Sequence, residues 1–568
     1  MKKKIWLFVL LSILIGGIYI YPDIRFILEE GKNFKGITLT GTGDEAFYLA
    51  KLNAIYKGDY RISSIGLYEH RKDICLMPPF YEIAIGLAGK SLNIPVPYLD
   101  IILSFIFPVV IFWLIYIFTY CLSGSRALGI LGGSVILLGC SLFTQDINIF
   151  KQIIYFRYSQ PLWFLRPFSP QFIYVPFILS FILIFLNTYT YTSKKWRLIL
   201  TAVLIALLNY LHPFLWAFLF VGLIVLFFIS FLRKQGIVYR NIIFVLLLSF
   251  FLSLPYWLNY YKMMLSPNYE FYQQFLGVES SHRPIIPLSY ILIGAVIALL
   301  NIKSDQRTFY FLLSFLIGGL ICLNQQIITG KLIGLIYFLS YTGKIFLILG
   351  LVASLKNILR FKSTVSRAIF IFFIVFLGFS AAIQQNNYYN ANKKIYSDLQ
   401  ILKGVITWLN ENTKKDDVIL TDSIRFPSFV FIRTLLLYVK NYHYLSFEPH
   451  FMISREELEH RILSAMRFYG YSLEEADSVF RTFGGIIFFG LSASYGIVKD
   501  RDFKEYISRL EDRYADFIIK DPVVLLKRYR IDYVLIGKKD HLFDTVENRY
   551  PSCRKVFEDG NYKVIKIY

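Results

Sequence analysis

Charge and cysteine are both scarce in this 568-residue chain: Asp, Glu, Lys and Arg make up 17% of it, and five residues are Cys. Cys121, Cys140 and Cys322 fall in or beside apolar runs, and no Cys spacing resembles a metal site. Only Cys75 and Cys553 remain for a bridge, a pairing that stays open. A disulfide framework and a Cys-ligated metal module are therefore excluded. No small-x-small cleavage site follows the apolar run Ile5 to Tyr21 behind Met1-Lys2-Lys3-Lys4, so this run reads as an uncleaved signal anchor with a cytoplasmic N-terminus. No internal repeat is visible. Charge inside the apolar runs is rare. Lys344 is the clear case, where an ammonium at midplane costs about 2.5 to 3.5 kcal/mol unless it lines a polar cavity or snorkels.

What is abundant is apolar. Hydrophobic residues are 56% of the chain and the mean hydropathy is +0.52, which excludes a soluble enzyme and predicts a polytopic α-helical membrane protein. Spans are expected at 5–21, 98–120, 127–143, 171–189, 197–211, 213–231, 240–257, 285–301, 307–323, 333–353 and 367–384, about eleven in all. Lys and Arg support this count, because positive charge is retained in cytoplasmic loops: Arg126, Lys194, Lys195, Arg197, Arg233, Lys234, Arg240, Lys303, Arg307, Lys356, Arg360, Lys362 and Arg367 all fall on that side. Counting Met77 to Gly89 as a span would invert these loops, so it is expected to lie flat or re-entrant on the outer face. The chain then divides into a membrane domain, 1–384, that includes a first outer loop, 22–97, and an extracytoplasmic domain, 385–568. The net charge of +21 suits loops facing anionic lipid headgroups, not nucleic acid.

The Gln384-Gln385-Asn386-Asn387 stretch marks the expected junction. Beyond it, a helical pattern through Trp408, strands at Asp417 to Thr421 and Ile531 to Gly537, helices near 454–468 and 502–519, and a closing hairpin around Asp559-Gly560 predict a small α/β domain. Gly484 to Gly496 is apolar but too short to span and is expected in its core.

Candidate chemistry gathers on the outer face. Thr42-Gly43-Asp44-Glu45 has the form of a helix capping box, which accounts for Glu45 structurally. Asp44, in the first turn near the positive end of the helix dipole, stays ionised and is placed to act as a base. Between Gln145 and Gln171 lie Asp146, Lys151, Arg157 and Arg166. These guanidinium groups suit a lipid phosphate, or else snorkel to ordinary headgroups. His212 precedes Pro213 at an outer turn, where it either bonds the turn or serves the site. The polar loop Asn324 to Lys331 offers groups for sugar hydroxyls or phosphate, or is simply solvated.

Asp44-Glu45, Gly58-Asp59-Tyr60 and Met77-Pro78-Pro79-Phe80-Tyr81 resemble the first outer loop of the GT-C membrane glycosyltransferases, in the branch of protein O-mannosyltransferases and lipid A aminoarabinose transferases. Met77 stands where that branch has a Lys, so the implied phosphate contact falls to Lys72, Arg71 or another cation, and Asp146 matches a second outer acid. The Trp-Trp-Asp-Tyr-Gly signature of oligosaccharyltransferases is absent. The resemblance implies transfer of one sugar from a polyprenyl-phosphate donor to a lipid, glycan or protein acceptor at the outer face of the plasma membrane. Transfer would invert the anomeric centre, with Asp44, Glu45 and Asp146 as catalytic candidates and Arg157, Arg166, His212, Lys331 and Lys72 binding substrate. No ligand cluster requires a cofactor, although a divalent metal could supplement the arginines. A transporter or flippase of a lipid-linked substrate, or a polysaccharide polymerase, is the alternative.

Overall fold

A computed structural model describes residues 2–40, 43–60, 62–74, 78–144, 146–162, 168–188, 195–334, 338–358, 364–421, 430–445, 453–494, 496–538, 540 and 542–568. The apolar runs fold as helices because a bilayer leaves backbone N–H and C=O groups no partner but one another. In chain order these are α1 (Lys2–Glu30), α2 (Gly43–Tyr56), α3 (Phe80–Ser91), α4 (Val96–Ser123), α5 (Arg126–Gly139), α6 (Ile147–Ile154) and α7 (Phe168–Thr188). There follow α8 (Lys195–Leu211), α9 (Pro213–Leu232), α10 (Gly236–Met264), α11 (Tyr269–Phe275), α12 (Leu288–Asn301) and α13 (Gln306–Leu323). A π-helical turn, Phe338–Gly343, then leads into the helix Lys344–Ser354, and the helix Thr364–Leu399 completes the set.

Each of the eleven expected spans overlaps helix among the described residues, in part only at 333–353, where 335–337 lie outside them. Among the described residues, six helices are long and apolar enough to cross a membrane on their own, or seven if the bent pair Arg126–Leu142 and Ile147–Ile154 counts as one. The chain is a multi-pass membrane protein. Of the Met77 to Gly89 stretch, expected flat or re-entrant, Met77 lies outside the described residues and Phe80 onward forms the 12-residue α3 (Phe80–Ser91), too short to span. Phe118, Phe181, Phe311, Phe315 and Phe346 interlock in the membrane core. There α9 and α13 approach so closely that a Cβ on Gly318 would lie 2.8 Å from the Gly222 Cα, a small-residue crossing of the kind membrane helices favour.

The helix Thr364–Leu399 runs unbroken for 36 residues, or about 54 Å at 1.5 Å per residue, through the polar stretch expected to be a junction. Those side chains are fasteners. Gln385 donates to the Ile18 and Tyr19 carbonyls at 3.2 and 3.1 Å and accepts from Leu162 N at 3.1 Å, while Gln384 donates to the Gln160 and Pro161 carbonyls.

Two short strands, β1 (Glu279–Ser280) and β2 (Lys331–Leu332), pair antiparallel. The C-terminal unit is built on β3 (Val418–Thr421), β4 (Tyr442–His443), β5 (Tyr533–Gly537), β6 (Cys553–Glu558) and β7 (Tyr562–Ile567), in the order β4-β3-β5-β7-β6. The first three are parallel, and β7 and β6 complete the sheet antiparallel. The hairpin turns at Asp559-Gly560 as the sequence suggests, with Gly560 at φ +80°. The Asp559 carboxylate accepts from Asn561 N and Tyr562 N. Helices Arg455–Tyr469, Leu473–Phe489 and Asp500–Ile518 pack together alongside, and Ile487 and Phe488 of the short apolar segment are buried in that core.

Candidate active site

Helix α2 lies over α4 and α7, with α3 along one side and the helix Val430–Tyr438 along another. Backbone pins hold the segment that leads into it. The Tyr438 hydroxyl accepts from Thr38 N at 3.0 Å, Gln400 donates to the Ile37 carbonyl at 2.8 Å, and the Tyr388 and Tyr396 hydroxyls donate to the Thr40 carbonyl at 2.8 and 3.2 Å. Further along, Asn53 donates to the Leu437 carbonyl at 2.6 Å, and the Tyr56 hydroxyl donates to that of Ile94 at 2.7 Å. Gly86 and Gly89 let α3 close on α2, since a Cβ on Gly86 would meet Ile55 at 2.7 Å.

Asp44 occupies the first turn of α2. Its side chain lies outside the described residues, as do Thr42, Arg166 and Met77. Glu45 is 1% exposed, as burial within the packed face of α2 demands. Two turns after Asp44, about 10 Å along the axis, stands Lys51, itself 2% exposed. Its ammonium lies 4.6 Å from the centre of the Phe47 ring, a cation–π contact that partly replaces lost water.

A second buried carboxylate, Glu82 of α3, faces it electrostatically: burial pushes the Glu82 carboxyl up, and the Lys51 ammonium offsets part of that rise. Asp100, near the start of α4, is buried close to Tyr81. One ammonium and three carboxylates, Glu45, Lys51, Glu82 and Asp100, are thus buried around α2, α3 and the start of α4. Neither Lys51 nor Glu82 stands out in the sequence by motif. The signal available was a lone Lys in an otherwise apolar stretch, at helical register with Asp44.

The remaining candidates are dispersed. Asp146 caps α6, accepting from Asn148 N at 2.8 Å and Ile149 N at 3.4 Å, and is exposed. Arg157 is exposed in the turn after α6. His212 occupies the N-cap position of α9 with no capping bond from its side chain, half-buried, its ring 5.8 Å from that of Tyr341. Lys331 on β2 donates to the Gln273 amide oxygen of α11. Lys72 is exposed on a turn fastened to the C-terminal unit through His70. Lys344 opens its helix half-buried, within reach of the Cys140 thiol. Among the described residues, no group of three or more His, Cys, Asp or Glu side chains is placed to hold a metal ion.

No family model matches this chain, and no curated protein does. Among solved structures, the arabinofuranosyltransferase AftD from Mycobacteria aligns over 100% of the chain with a TM-score of 0.55 at 12% identity. The chain shares its fold with that arabinofuranosyltransferase. The match spans 40% of AftD's length. A mutant form of AftD aligns at 12% identity with a TM-score of 0.47, over 100% of this chain and 41% of its own. ArnT from Cupriavidus metallidurans, bound to undecaprenyl phosphate, aligns over 100% of this chain and 98% of its own at 9% identity, with a TM-score of 0.47.

Proposed function

We propose that this protein transfers a sugar from a polyprenyl-phosphate carrier to an acceptor at the outer face of the membrane, with inversion. The observation that carries the reading is the seat of α2: in a fold shared with an arabinofuranosyltransferase, its first turn holds Asp44 above the membrane helices and its buried face holds Lys51.

In the proposed reaction Asp44 takes the proton of an acceptor hydroxyl as that oxygen bonds to the anomeric carbon. The bond from that carbon to the carrier phosphate breaks on the opposite face, and its electron pair leaves with the phosphate. Negative charge grows there, and cations in a low-dielectric site stabilise it far better than water does. Arg166 is the first choice for that role, with Arg157, Lys331 and Lys51 as further cations and His212 near the mouth. Glu45 supports the N-terminal turn of α2 rather than exchanging protons. The N-terminus is cytoplasmic and the C-terminal unit extracytoplasmic.

The test is reconstitution with a polyprenyl-phosphate sugar, following release of the polyprenyl phosphate. Asp44→Asn is expected to lower transfer by a factor of about 100 to 10,000 without changing the melting temperature; transfer near the wild-type rate would refute Asp44 as base.

A further inference from the structure

A cavity of about 610 Å³ opens at the far end of α2 from Asp44, between the first outer loop, the start of α4 and the C-terminal unit. Its size suits a ligand of a few rings. Phe34, Tyr56 and Tyr98 supply aromatic walls, Asn53 an amide, and Lys35 and Lys403 two ammonium groups; among the described residues, no carboxylate lines it.

The surroundings add positive charge. Lys57 adjoins Tyr56 and donates to the Val439 carbonyl at 3.3 Å. Burial, and then the ammonium groups of Lys415 and Lys440, lower its pKa to about 8. Asp59 offsets part of this through its 3.0 Å pair with Lys415, but it does not line the cavity. Aromatic faces take up the apolar faces of sugar rings and ammonium groups take up acidic substituents. Asn53 is nine residues from Asp44, or about 13 Å along one rigid helix.

We infer that this cavity is a binding site for an acidic sugar, bearing carboxylate or phosphate, set beside the transfer site by the length of α2. On the transferase reading, on which this part rests, it grips the acceptor at a distance from the hydroxyl that reacts. The acidic sugar is either a free glycan or the headgroup of a glycolipid, since both present the same charge on the same ring.

The experiment is binding, with no donor present, to the full-length protein in phosphatidylcholine nanodiscs. Trigalacturonate is compared with neutral maltotriose, on wild type and on the double variant Lys35→Glu/Lys403→Glu, whose lysines lie on the rim and whose fold is checked by its melting temperature. Trigalacturonate is expected to bind about tenfold more tightly than maltotriose, and the double variant to lose that advantage. A second variant, Tyr98→Ala, is expected to weaken trigalacturonate while leaving the charge preference in place. Equal binding of the two trisaccharides, or undiminished trigalacturonate binding by the charge-reversed protein, overturns the inference. Nanodiscs containing phosphatidylinositol separate the sources: competition with trigalacturonate that depends on Lys35 and Lys403 assigns the site to a lipid headgroup, and its absence assigns it to a free glycan. Charge-dependent binding by a protein that transfers no sugar would leave this site standing and refute the catalytic reading alone.

Discussion

The guanidinium of Arg461, itself almost wholly shielded from water, lies 2.7 Å from the half-buried Glu69 carboxylate. Sequence places these residues 392 positions apart; the fold uses them to lock the segment between α2 and α3 to the C-terminal unit. Arg461 also bonds Glu457 at 2.8 Å and the Tyr444 carbonyl at 3.0 Å, and stacks 4.0 Å from the centre of the Tyr529 ring. Without the guanidinium, the half-buried Glu69 and Glu457 carboxylates keep their charge with less compensation, at a cost of about 1 to 3 kcal/mol. Arg461→Ala is therefore expected to lower the melting temperature and to open residues 62–73 to proteolysis before the membrane helices unfold. An unchanged cleavage pattern would show that the loop is held elsewhere.

The same clamp responds to pH. His70 bonds Asp73 at 2.6 Å and Glu457 at 3.2 Å. Burial opposes its charging, but these two carboxylates prevail and raise its pKa from 6.5 to about 9. Burial also opposes ionisation of Glu457, yet His70 and Arg461 hold its pKa below the usual 4.5. A raised folded pKa stabilises fully below 6.5 and is lost as pH climbs through about 9. A depressed one stabilises fully above 4.5 and is lost as pH falls below that. The contribution of the pair should thus be flat between about 4.5 and 6.5 and decline on both sides. Hydrogen exchange of residues 62–73 should quicken from pH 6.5 to 9, after correction for intrinsic rates, and His70→Gln should abolish that dependence.

The helices were readable from composition because each apolar run has one way to satisfy its backbone in lipid, and the last hairpin was readable from Asp559-Gly560 between alternating residues. The continuity of Thr364–Leu399 was not: a Gln and Asn cluster looks like a linker until the amides of Gln384 and Gln385 are seen fastening α1 and the chain before α7. The two-residue β4 leaves too short a pattern to detect. In the site, Asp44 and Glu45 announced themselves as adjacent acids, whereas Lys51 and Glu82 lie on different helices and acquire meaning only when α3 closes on α2. Spacing along the chain carries no information about such a pairing.

Asp146 offers a clean separation of roles. Its carboxylate caps α6, and Asn is as good a cap as Asp. Asp146→Asn keeps the helix end satisfied while removing the charge, so sugar transfer is expected to stay within about twofold of wild type; Asp146→Ala should cost about 1 kcal/mol of stability through the lost cap. A large fall in transfer with Asn would instead make the charge itself part of the chemistry.

Lys51 is the sharper case, because a buried ammonium either serves the reaction or weakens the fold. Met has a similar shape and no charge, and replacing a buried ion with an apolar side chain of like volume is often neutral or stabilising when its partner is replaced too. Lys51→Met alone leaves Glu82 without its nearest cation and is expected to destabilise; adding Glu82→Leu should restore the melting temperature, with a coupling of about 1 to 3 kcal/mol in the double-mutant cycle. Transfer should not return with stability. If Lys51 holds the developing phosphate charge, the doubly substituted protein folds well and transfers at least about tenfold more slowly, and the loss appears in kcat more than in the apparent affinity for donor. Recovery of both stability and transfer would assign Lys51 to packing alone.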